Sequence, residues 1–328
     1  MLTPPVEPML AEARRELPRD GLLPGRLVAE QKPDGFRAAL FARPGMVMLQ
    51  SRNGADLTPA FPEIAAAASA LGEGLVLDGE LVVPYEGRLH FGQLQHRARR
   101  RGHGAASAAI EHPAYLIVFD VLEAAGVELL DQPYRERRAT LEDLFARDVL
   151  GGPFTLCPAT GDRATALDWL DPAWGAVGIE GVVLKGSEQR YLPGKRAWIK
   201  VRSRMTAEGI IAGVTGAVTS PASLLLARYD GTGRLRLIAR TTPLPAAVRR
   251  DLGGRLRASG PDHSWHGRRF SAGWGTRSDL DYTPVLPELV SEFISDTAID
   301  EGRYRHPVRF LRLREDMEAE QVPAYGSG

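Results

Sequence analysis

The sequence changes character at about residue 204, and this change limits the folds that are open to the chain. Residues 1–203 alternate strand-like and helical segments without regular βαβ spacing, which predicts a mixed, largely antiparallel α+β domain. Residues 204–328 contain short strand-like runs separated by turn signals, such as Asp-Gly-Thr-Gly at 230–233. This second part predicts a small β-barrel, and an OB-fold matches its length. Residues 202–208 are predicted to link the two domains.

Several segments of the first part have a clear periodicity. Apolar alternation or short apolar runs predict strands at 75–83, 114–122, 181–185 and 197–202. Helical patterns and a proline near a helix start predict helices at 59–71, from 91 onward and at 134–147.

Composition excludes some classes of protein. Hydrophobic residues make up 44% of the chain, which is ordinary for a globular protein, and no apolar run reaches the roughly 18 residues of a membrane span. The proline-rich, acidic start lacks the features of a signal peptide. Cys157 is the only cysteine, so the chain can hold neither an internal disulfide nor a cysteine-based zinc site. We therefore expect a cytoplasmic protein that is not attached to a membrane.

Lysine is rare in this chain although basic residues are common. The sequence has 41 lysines and arginines together. The lysines are Lys32, Lys185, Lys195 and Lys200. Lysine can lose its proton and act as a nucleophile, which arginine does poorly. The few lysines that the chain retains are therefore candidates for functions that need a primary amine.

Short motifs that contain most of these lysines follow one another in a fixed order. They are Glu-Gln-Lys-Pro-Asp-Gly-Phe-Arg at 30–37, Ser-Arg-Asn-Gly at 51–54, Asp-Gly-Glu at 78–80, Phe-Asp-Val-Leu at 119–122, Glu-Gly-Val-Val-Leu-Lys at 180–185 and Trp-Ile-Lys-Val-Arg at 198–202. Taken alone, the first motif fits a hairpin turn whose lysine points to water as well as it fits a lysine held in a nucleotide pocket. The ordered series is far more specific than any one of its members.

The order and spacing of these motifs resemble the covalent nucleotidyltransferase superfamily of ATP-dependent DNA ligases, RNA ligases and mRNA capping enzymes. The resemblance spans almost the whole chain and implies that Lys32 takes AMP from ATP. An attacking lysine must be neutral, whereas a free lysine has a pKa of about 10.4. We expect Lys185, Lys200 and a bound Mg²⁺ (or Mn²⁺) to lower the pKa of Lys32.

The other motif residues have expected roles in catalysis and metal binding. Lys185 and Lys200 are predicted to bind the phosphates, on which negative charge accumulates during transfer. Glu80 and Glu180 are oxygen donors suited to Mg²⁺ or to ribose hydroxyls. The resemblance implies that Glu80 contacts the ribose and that Glu180 lies near the metal.

The nucleotide itself is expected to contact four further residues. Phe119 is predicted to stack on adenine and Glu30 to accept a hydrogen bond from the adenine amino group. Arg37 lies next to the lysine turn, and Arg52 resembles the family arginine that touches phosphate. Alone, Phe119 would more simply be a core residue.

Three features favour a DNA ligase over its relatives. The segment 91–97, Phe-Gly-Gln-Leu-Gln-His-Arg, resembles one that is familiar from ATP-dependent DNA ligases. Arg314 and Asp316 match the Arg-x-Asp-Lys motif that DNA ligases carry on an OB domain, which moves onto pyrophosphate during lysine adenylation. Met317 stands where that motif has lysine, and Arg202 replaces another expected lysine. The single cysteine excludes the four-cysteine zinc site of NAD-dependent ligases.

The resemblance implies a small two-domain bacterial ligase, similar to the ligase module of end-joining enzymes, which acts as a monomer on nicked duplex DNA. Arginines that are equally consistent with a solvated surface are expected to bind backbone phosphates, namely Arg97, Arg99, Arg100, Arg101, Arg234, Arg236 and Arg240. Asp120 and Arg135 are further candidates of lower rank. The alternatives are a capping-type guanylyltransferase or RNA ligase, and a non-catalytic OB protein that binds nucleic acid.

Overall fold

The computed structural model describes residues 1–72, 74–271 and 279–326. The chain forms two compact units, Met1–Ser203 and Arg204–Gly328. Among the described residues, no helix is both long and apolar enough to cross a lipid bilayer.

The first unit is built from short strands and a smaller number of helices. Its strands are β1 (Leu10–Arg14), β2 (Leu27–Pro33), β3 (Phe36–Arg43), β4 (Met46–Ser51), β5 (Leu75–Val82), β6 (Pro84–Tyr85), β7 (Arg88–Leu89), β8 (Tyr115–Ala124), β9 (Val127–Glu128), β10 (Phe154–Leu156), β11 (Ala159–Thr160), β12 (Ile179–Gly186) and β13 (Arg196–Arg202). Its helices are α1 (Pro62–Ser69), α2 (Phe91–Ala98), α3 (Gly102–Glu111), α4 (Tyr134–Ala146) and α5 (Arg163–Asp168), with 3₁₀ helices at Thr58–Ala60 and Pro172–Val177.

These strands form two main sheets. The first sheet has the order β1-β13-β12-β2-β11, and only the β1–β13 pair in it is parallel. The second sheet has the order β10-β8-β5-β3-β4, in which β10 and β8 are parallel and the other neighbours are antiparallel. The prediction of mixed, largely antiparallel sheets is therefore confirmed.

Alternation along the strands of the second sheet separates two cores. Leu40 and Leu77 face a core that includes Ile64 of α1 and Leu141 of α4. Their neighbours along the strands, such as Phe41, belong instead to a cluster that joins the two sheets. A strand places successive side chains on opposite faces, so one face of this sheet packs on helices and the other on the first sheet.

The joining cluster lies between the two sheets. It contains Phe119 of the second sheet and Trp198 of the first, whose ring centroids are 6.1 Å apart in an edge-on arrangement. On the far side of the first sheet, Val182 and Ile199 pack in a separate buried cluster with Trp169. The polar residues of the motifs therefore line the space between two packed sheets.

The second unit is built mainly on one sheet. Its strands are β14 (Arg204–Ala217), β15 (Ser220–Tyr229), β16 (Leu235–Arg240), β17 (Thr283–Pro284), β18 (Val290–Asp296), β19 (Ile299–Asp300), β20 (Arg303–Tyr304) and β21 (Arg309–Leu313), with the helix α6 (Ala246–Arg255) and a 3₁₀ helix at Ala319–Gln321. The main order is β16-β15-β14-β18-β21. Thr241, directly after β16, forms a parallel bridge to Val308, directly before β21, and this bridge joins the two outer strands of that order.

The prediction of a linker at 202–208 is wrong for most of that segment. Arg202 ends β13, and β14 already begins at Arg204. Residues from Arg204 onward pair with β18, with Arg204 opposite Asp296. The polar sequence of this segment does not reveal a pairing with a strand that lies about 90 residues later, because such pairing depends on long-range contacts.

Candidate active site

Strand register brings the motif residues of the first sheet onto one face. Glu30 of β2 lies opposite Val183 of β12, which in turn lies opposite Lys200 of β13. Lys32 and Arg202 each follow by two residues on their strands, so they lie on the same face as Glu30 and Lys200. The register therefore gathers Lys32 and Lys200, both predicted from the sequence to act on the nucleotide, on one face of the first sheet.

A backbone irregularity in β12 accompanies the placement of Glu180. The register between β12 and β2 shifts between Ile179 and Val182, and Gly181 within this bulge has a φ of 142°. A Cβ atom at Gly181 would lie 2.2 Å from the carbonyl oxygen of Val201, so only glycine fits here. The bulge places Glu180 beside Lys32, to which it is hydrogen-bonded.

Lys32 and Glu180 form the central ion pair of the site. The Lys32 Nζ atom donates to Glu180 Oε2 at 2.5 Å, and the two side chains are 21% and 4% exposed. Arg202 Nε lies 3.6 Å from the same carboxylate oxygen. The amine is thus held at the edge of the site with a small exposed surface, which an incoming substrate can reach.

The charge state of Lys32 differs from the expectation. Burial lowers the pKa of Lys32, but the carboxylates of Glu180 and Glu80 outweigh burial and Arg202 and raise this pKa above its ordinary value. The predicted lowering of the Lys32 pKa is therefore wrong for the chain's own residues, although the neighbouring cation Arg202 does act in that direction. The physical reason is that carboxylates, rather than Lys185 or Lys200, are the dominant charges next to this amine.

Glu80 lies in the same space and responds to the same charges. Burial raises the pKa of Glu80 to about 7, against the lowering effects of Lys32 and Arg37. Glu180 and Asp34 add negative charge that raises the pKa further. Glu80 is therefore balanced between its neutral and charged forms near neutral pH.

Positive charge gathers beside this pair. Burial, together with Arg202, Lys32 and Arg52, lowers the pKa of Lys200 below its ordinary value. Cations that repel one another in this way form a site suited to an anion with several charges, such as a polyphosphate. Arg52 and Lys200, both predicted from the sequence to contact phosphate, thus lie close enough to Lys32 for the three charges to interact.

Lys185 lies deeper in the site than the sequence suggests. Its side chain is fully buried, and Nζ lies 2.8 Å from Glu30 Oε2 and donates to the Phe119 carbonyl oxygen at 2.9 Å. Tyr134 donates to the other oxygen of Glu30 at 2.6 Å. Lys185 also lies 4.4 Å from the centre of the Trp198 ring. This position offers no exposed amine to a phosphate, so the geometry does not support the predicted direct contact.

Arg37 is held by a second carboxylate. Its Nε and Nη2 atoms donate to Asp78 at 2.8 and 2.6 Å. Its guanidinium lies 5.0 Å from the ring centres of both Phe119 and Trp198. Burial lowers the pKa of Arg37 but Asp78 and Tyr191 raise it, so this residue is a permanent cation in the wall of the site. Phe119 itself is 9% exposed.

Several buried polar residues of this wall escaped the sequence analysis. Tyr191 donates to Asp78 at 2.7 Å, and Arg137 forms two hydrogen bonds with Asp120 at 2.8 and 3.0 Å. Tyr134 and Arg137 lie within the predicted helix, where they look like ordinary surface residues. Their place in the wall becomes evident only from their hydrogen-bond partners, which lie outside the helix.

The lower-ranked candidates lie in two different settings. Asp120 and Arg137 are both fully buried as an ion pair, so Asp120 supports the fold rather than the chemistry. Arg135 is half exposed and pairs with Glu136 at 3.2 Å and with Glu188.

Arg97 does not lie on a DNA-facing surface. It is 1% exposed, and its guanidinium donates to both carboxylate oxygens of Glu63 and to the carbonyl oxygens of Ala60, Ala108 and His112. The predicted phosphate contact of Arg97 is therefore wrong. The arginines at 99–101 and at 234 and 236 are exposed, as their prediction requires.

In the second unit, Arg314 is held between two carboxylates. Its Nε and Nη2 atoms donate to Asp316 at 2.9 and 2.8 Å, and its Nη1 atom donates to Glu208 at 2.9 Å. Met317 packs partly buried against a hydrophobic cluster. The Arg-x-Asp pair is thus formed, whereas the position of the expected lysine contributes to the core.

Within the described part of the chain, no group of three or more histidine, cysteine, aspartate or glutamate side chains is arranged to hold a metal ion. Mg²⁺ usually keeps several waters and takes one or two carboxylates together with substrate phosphates. Glu80 and Glu180 both raise the pKa of Lys32, and Glu180 also raises the pKa of Glu80, so the two carboxylates lie close together. This donor pair fits such a partly hydrated ion.

Known proteins resemble the chain over most of its length. The family model for the ATP dependent DNA ligase domain matches residues 8–202. DNA ligase C2 of Mycolicibacterium smegmatis is 35% identical over 96% of this chain and 92% of its own length. The multifunctional non-homologous end joining protein LigD of Mycobacterium bovis is 32% identical over 92% of this chain and 38% of its own length.

A solved structure shows the same relationship. The crystal structure of the ligase domain of Mycobacterium tuberculosis LigD is 29% identical, has a TM-score of 0.51 and covers 97% of this chain and 98% of its own. The matched family model covers the motifs from Lys32 to Arg202, the residues that the fold gathers between its two sheets. The chain belongs to the family of ATP-dependent DNA ligases.

Proposed function

We propose that this ATP-dependent DNA ligase works through AMP bound covalently to Lys32. The observation that carries the proposal is the Lys32 amine, which Glu180 holds at 2.5 Å in a site that also contains Lys200, Arg202 and Arg52. An amine next to a carboxylate and several cations combines a nucleophile, a proton acceptor and a phosphate site.

The first step is the attack of Lys32 on the α-phosphate of ATP. Lys32 must first lose a proton, and Glu180 Oε2 is the atom to which that proton is already hydrogen-bonded. The new bond joins Nζ to phosphorus, and the bond from phosphorus to the bridging oxygen breaks as pyrophosphate leaves. Lys200 and Arg202 stabilise the charge on the phosphate oxygens during this step.

A divalent cation completes the charge balance. We propose that Glu80 and Glu180 hold Mg²⁺ or Mn²⁺, which would neutralise phosphate charge and weaken the hold of these carboxylates on the Lys32 proton. In the alternative role that the family resemblance implies, Glu80 accepts a hydrogen bond from a ribose hydroxyl and does not hold the metal.

The base of ATP is proposed to bind at the deeper end of the site. Phe119 supplies a ring next to Trp198. Lys185 donates to the Phe119 carbonyl oxygen and forms an ion pair with Glu30. We therefore move Lys185 from the predicted phosphate group to this base end. Arg37, stacked at 5.0 Å on the same two rings, forms the wall between base and phosphates.

Two later steps would use the bound AMP. The 5′-phosphate at a nick attacks the lysyl-AMP and takes the AMP, which frees Lys32. The 3′-hydroxyl then attacks the adenylated 5′-phosphate, forms the phosphodiester and releases AMP. The substrate proposed is nicked duplex DNA, and its backbone is proposed to contact the exposed arginines, including Arg99, Arg100, Arg101, Arg234 and Arg236.

We further propose that the second unit is an OB-fold. The proposal is supported by strand order, because β16 and β21 are joined by a parallel bridge and the sheet can therefore close. The helix α6 follows β16 and precedes β18, as expected for a small Greek-key barrel. A role in DNA repair is proposed from the relatives, whose names include an end joining protein. A cytoplasmic monomer is proposed from the family resemblance of the sequence motifs.

The test uses two nicked DNA substrates. We expect Lys32→Ala to lose sealing of an ordinary nick with ATP and to keep sealing of a nick that carries AMP on its 5′-phosphate. Lys195→Ala is the matched control, since Lys195 is exposed and should seal both substrates like the unaltered protein. Sealing of the ordinary nick by Lys32→Ala would refute the lysyl-AMP route.

A further inference from the structure

We propose that Tyr191 is a positioning residue that fixes Arg37 for contact with the nucleotide, acting through Asp78. The inference rests on the proposed function, because it assigns a task to a residue that lies in the wall of the same site. Tyr191 belongs to none of the motifs that identify the family, and it precedes β13 by a few residues.

A chain of hydrogen bonds joins Tyr191 to Arg37. The Tyr191 hydroxyl donates to Asp78 Oδ2 at 2.7 Å, and the same carboxylate accepts both the Nε and Nη2 protons of Arg37. Arg37 Nη2 also lies 3.4 Å from the Tyr191 oxygen. Tyr191 therefore fixes the orientation of the Asp78 carboxylate, and this carboxylate in turn holds Arg37.

The N-terminal segment fixes the hydroxyl itself. The backbone N–H of Met9 donates to the Tyr191 oxygen at 3.0 Å. A hydroxyl has one proton, so accepting from Met9 leaves that proton for Asp78. The ring of Tyr191 is 2% exposed and packs edge-on against Trp198 at 5.7 Å. Both the ring and the hydroxyl are thus held in one orientation.

Arg37 is left with one part of its guanidinium for a ligand. Asp78 occupies Nε and Nη2, and Nη1 makes no hydrogen bond with any residue that the structure describes. Two aromatic rings at 5.0 Å restrict the plane of the group. An arginine side chain loses rotamer entropy when a ligand fixes it, so fixing it before ATP arrives favours binding.

Removing only the hydroxyl would separate positioning from packing. Tyr191→Phe keeps the ring beside Trp198 and removes the donor to Asp78. A hydrogen bond to a charged group contributes enough for roughly a tenfold change in an equilibrium constant. We therefore expect the ATP concentration for half-maximal adenylation to rise about tenfold, with a smaller change in the maximal rate.

The experiment measures lysyl-AMP formation in single turnover with ATP labelled in the α-phosphate, over a range of ATP concentrations. The control is Tyr115→Phe, a partly buried tyrosine in β8 that lies outside this hydrogen-bond network. Asp78→Asn and the double variant Asp78→Asn/Tyr191→Phe complete a cycle. If Tyr191 acts through Asp78, the second substitution adds little once the first is present.

Three results would overturn the inference. They are an unchanged half-saturating ATP concentration in Tyr191→Phe, an equal rise in Tyr115→Phe, and independent, fully additive effects of Tyr191→Phe and Asp78→Asn. A fall in melting temperature without a change in ATP dependence would likewise reduce Tyr191 to a structural residue. If the unaltered protein forms no lysyl-AMP, the proposed function fails instead, so the two failures are distinguishable.

Discussion

Glu80 and Lys32 share a small buried space, and each changes the charge state of the other. Lys32 lowers the pKa of Glu80, while Glu80 helps to raise the pKa of Lys32. Their charges, together with Glu180, determine whether the amine can attack and whether a metal or a ribose hydroxyl can be bound. At the scale of single residues, the protonation states of Lys32, Glu80 and Glu180 are therefore coupled.

This coupling predicts a pH dependence of the first step. Burial is the main reason why the pKa of Glu80 is about 7 instead of its ordinary value of 4.5. Below that pH the carboxyl is neutral, and a neutral carboxyl binds a metal or accepts a hydrogen bond poorly. We expect the adenylation rate to fall as the pH decreases through about 7, measured by labelled lysyl-AMP formation from pH 5.5 to 9.

The variant Glu80→Gln should remove that inflection while its remaining activity still increases with pH, because the pKa of Lys32 is raised. Glu86→Gln, in the exposed turn between β6 and β7, is the control and should keep the inflection. An inflection near pH 7 that persists in Glu80→Gln would assign it to a different group.

Single residues could be predicted well where their motif is local and poorly where their partner is distant. Lys32, Glu180 and Lys200 were found from motifs, and the register of three adjacent strands supports their grouping. The raised pKa of Lys32 was not predicted, because its ion-pair partner is 148 residues away in sequence. The burial of Lys185 depends on contacts with Glu30 and with β8 that no local pattern shows.

The helix α2 shows how one side chain can join several elements. Arg97 lies near its end and ties α2 to Glu63 of α1, to the carbonyl group of Ala60 before α1, and to two carbonyl groups at the C-terminal end of α3. Truncating it would leave a partly buried carboxylate without its partner, which destabilises a fold by about 3–5 kcal/mol.

We therefore predict that Arg97→Ala lowers the free energy of unfolding by about 3 kcal/mol or more. The measurement is urea denaturation followed by circular dichroism. Arg99→Ala is the matched control, because Arg99 lies only two residues further along the chain and is exposed, and the stability of this variant should match that of the unaltered protein. Unchanged stability in Arg97→Ala, with weaker DNA binding, would instead restore the original interpretation of Arg97.

Elements with their own periodicity were predicted closely. Strands β5 and β8 and helix α4 lie where the apolar patterns place them. Failures arise where a segment gains its structure from a distant partner, as β14 does from β18. Sequence patterns also gave no sign of the bulge at Gly181, whose φ of 142° is set by the close approach of Val201.

On the scale of the whole molecule, the predicted site residues are divided between the two compact units. Lys32 and its partners lie in Met1–Ser203, whereas Arg314 lies in the unit that follows. If the Arg-x-Asp pair serves only lysine adenylation, the second unit contributes to that one step, whereas the residues around Lys32 contribute to the whole cycle. Met317 packs against the core at the position where the resembling motif has lysine, so Arg314 and Asp316 are the charged residues that match this motif.

This division predicts a step-specific defect. Arg314→Ala should slow lysyl-AMP formation by at least tenfold, since removing a group that stabilises transition-state charge costs roughly that much or more. Sealing of a nick that already carries AMP should change little. Arg309→Ala replaces an exposed arginine at the start of β21, the strand that directly precedes Arg314, and is the control for both assays. Equal loss in both steps would show that Arg314 has a general role in DNA binding or stability.

The most direct test of the account is to ask which nucleotide labels the protein. Purified protein, freed of bound AMP with pyrophosphate, is incubated with Mg²⁺ and with ATP or GTP labelled in the α-phosphate, and is then run on a denaturing gel. We predict a labelled band with ATP that is absent with GTP and absent in Lys32→Ala. Labelling with GTP alone, or labelling that survives the loss of Lys32, would contradict the proposal that Lys32 carries AMP.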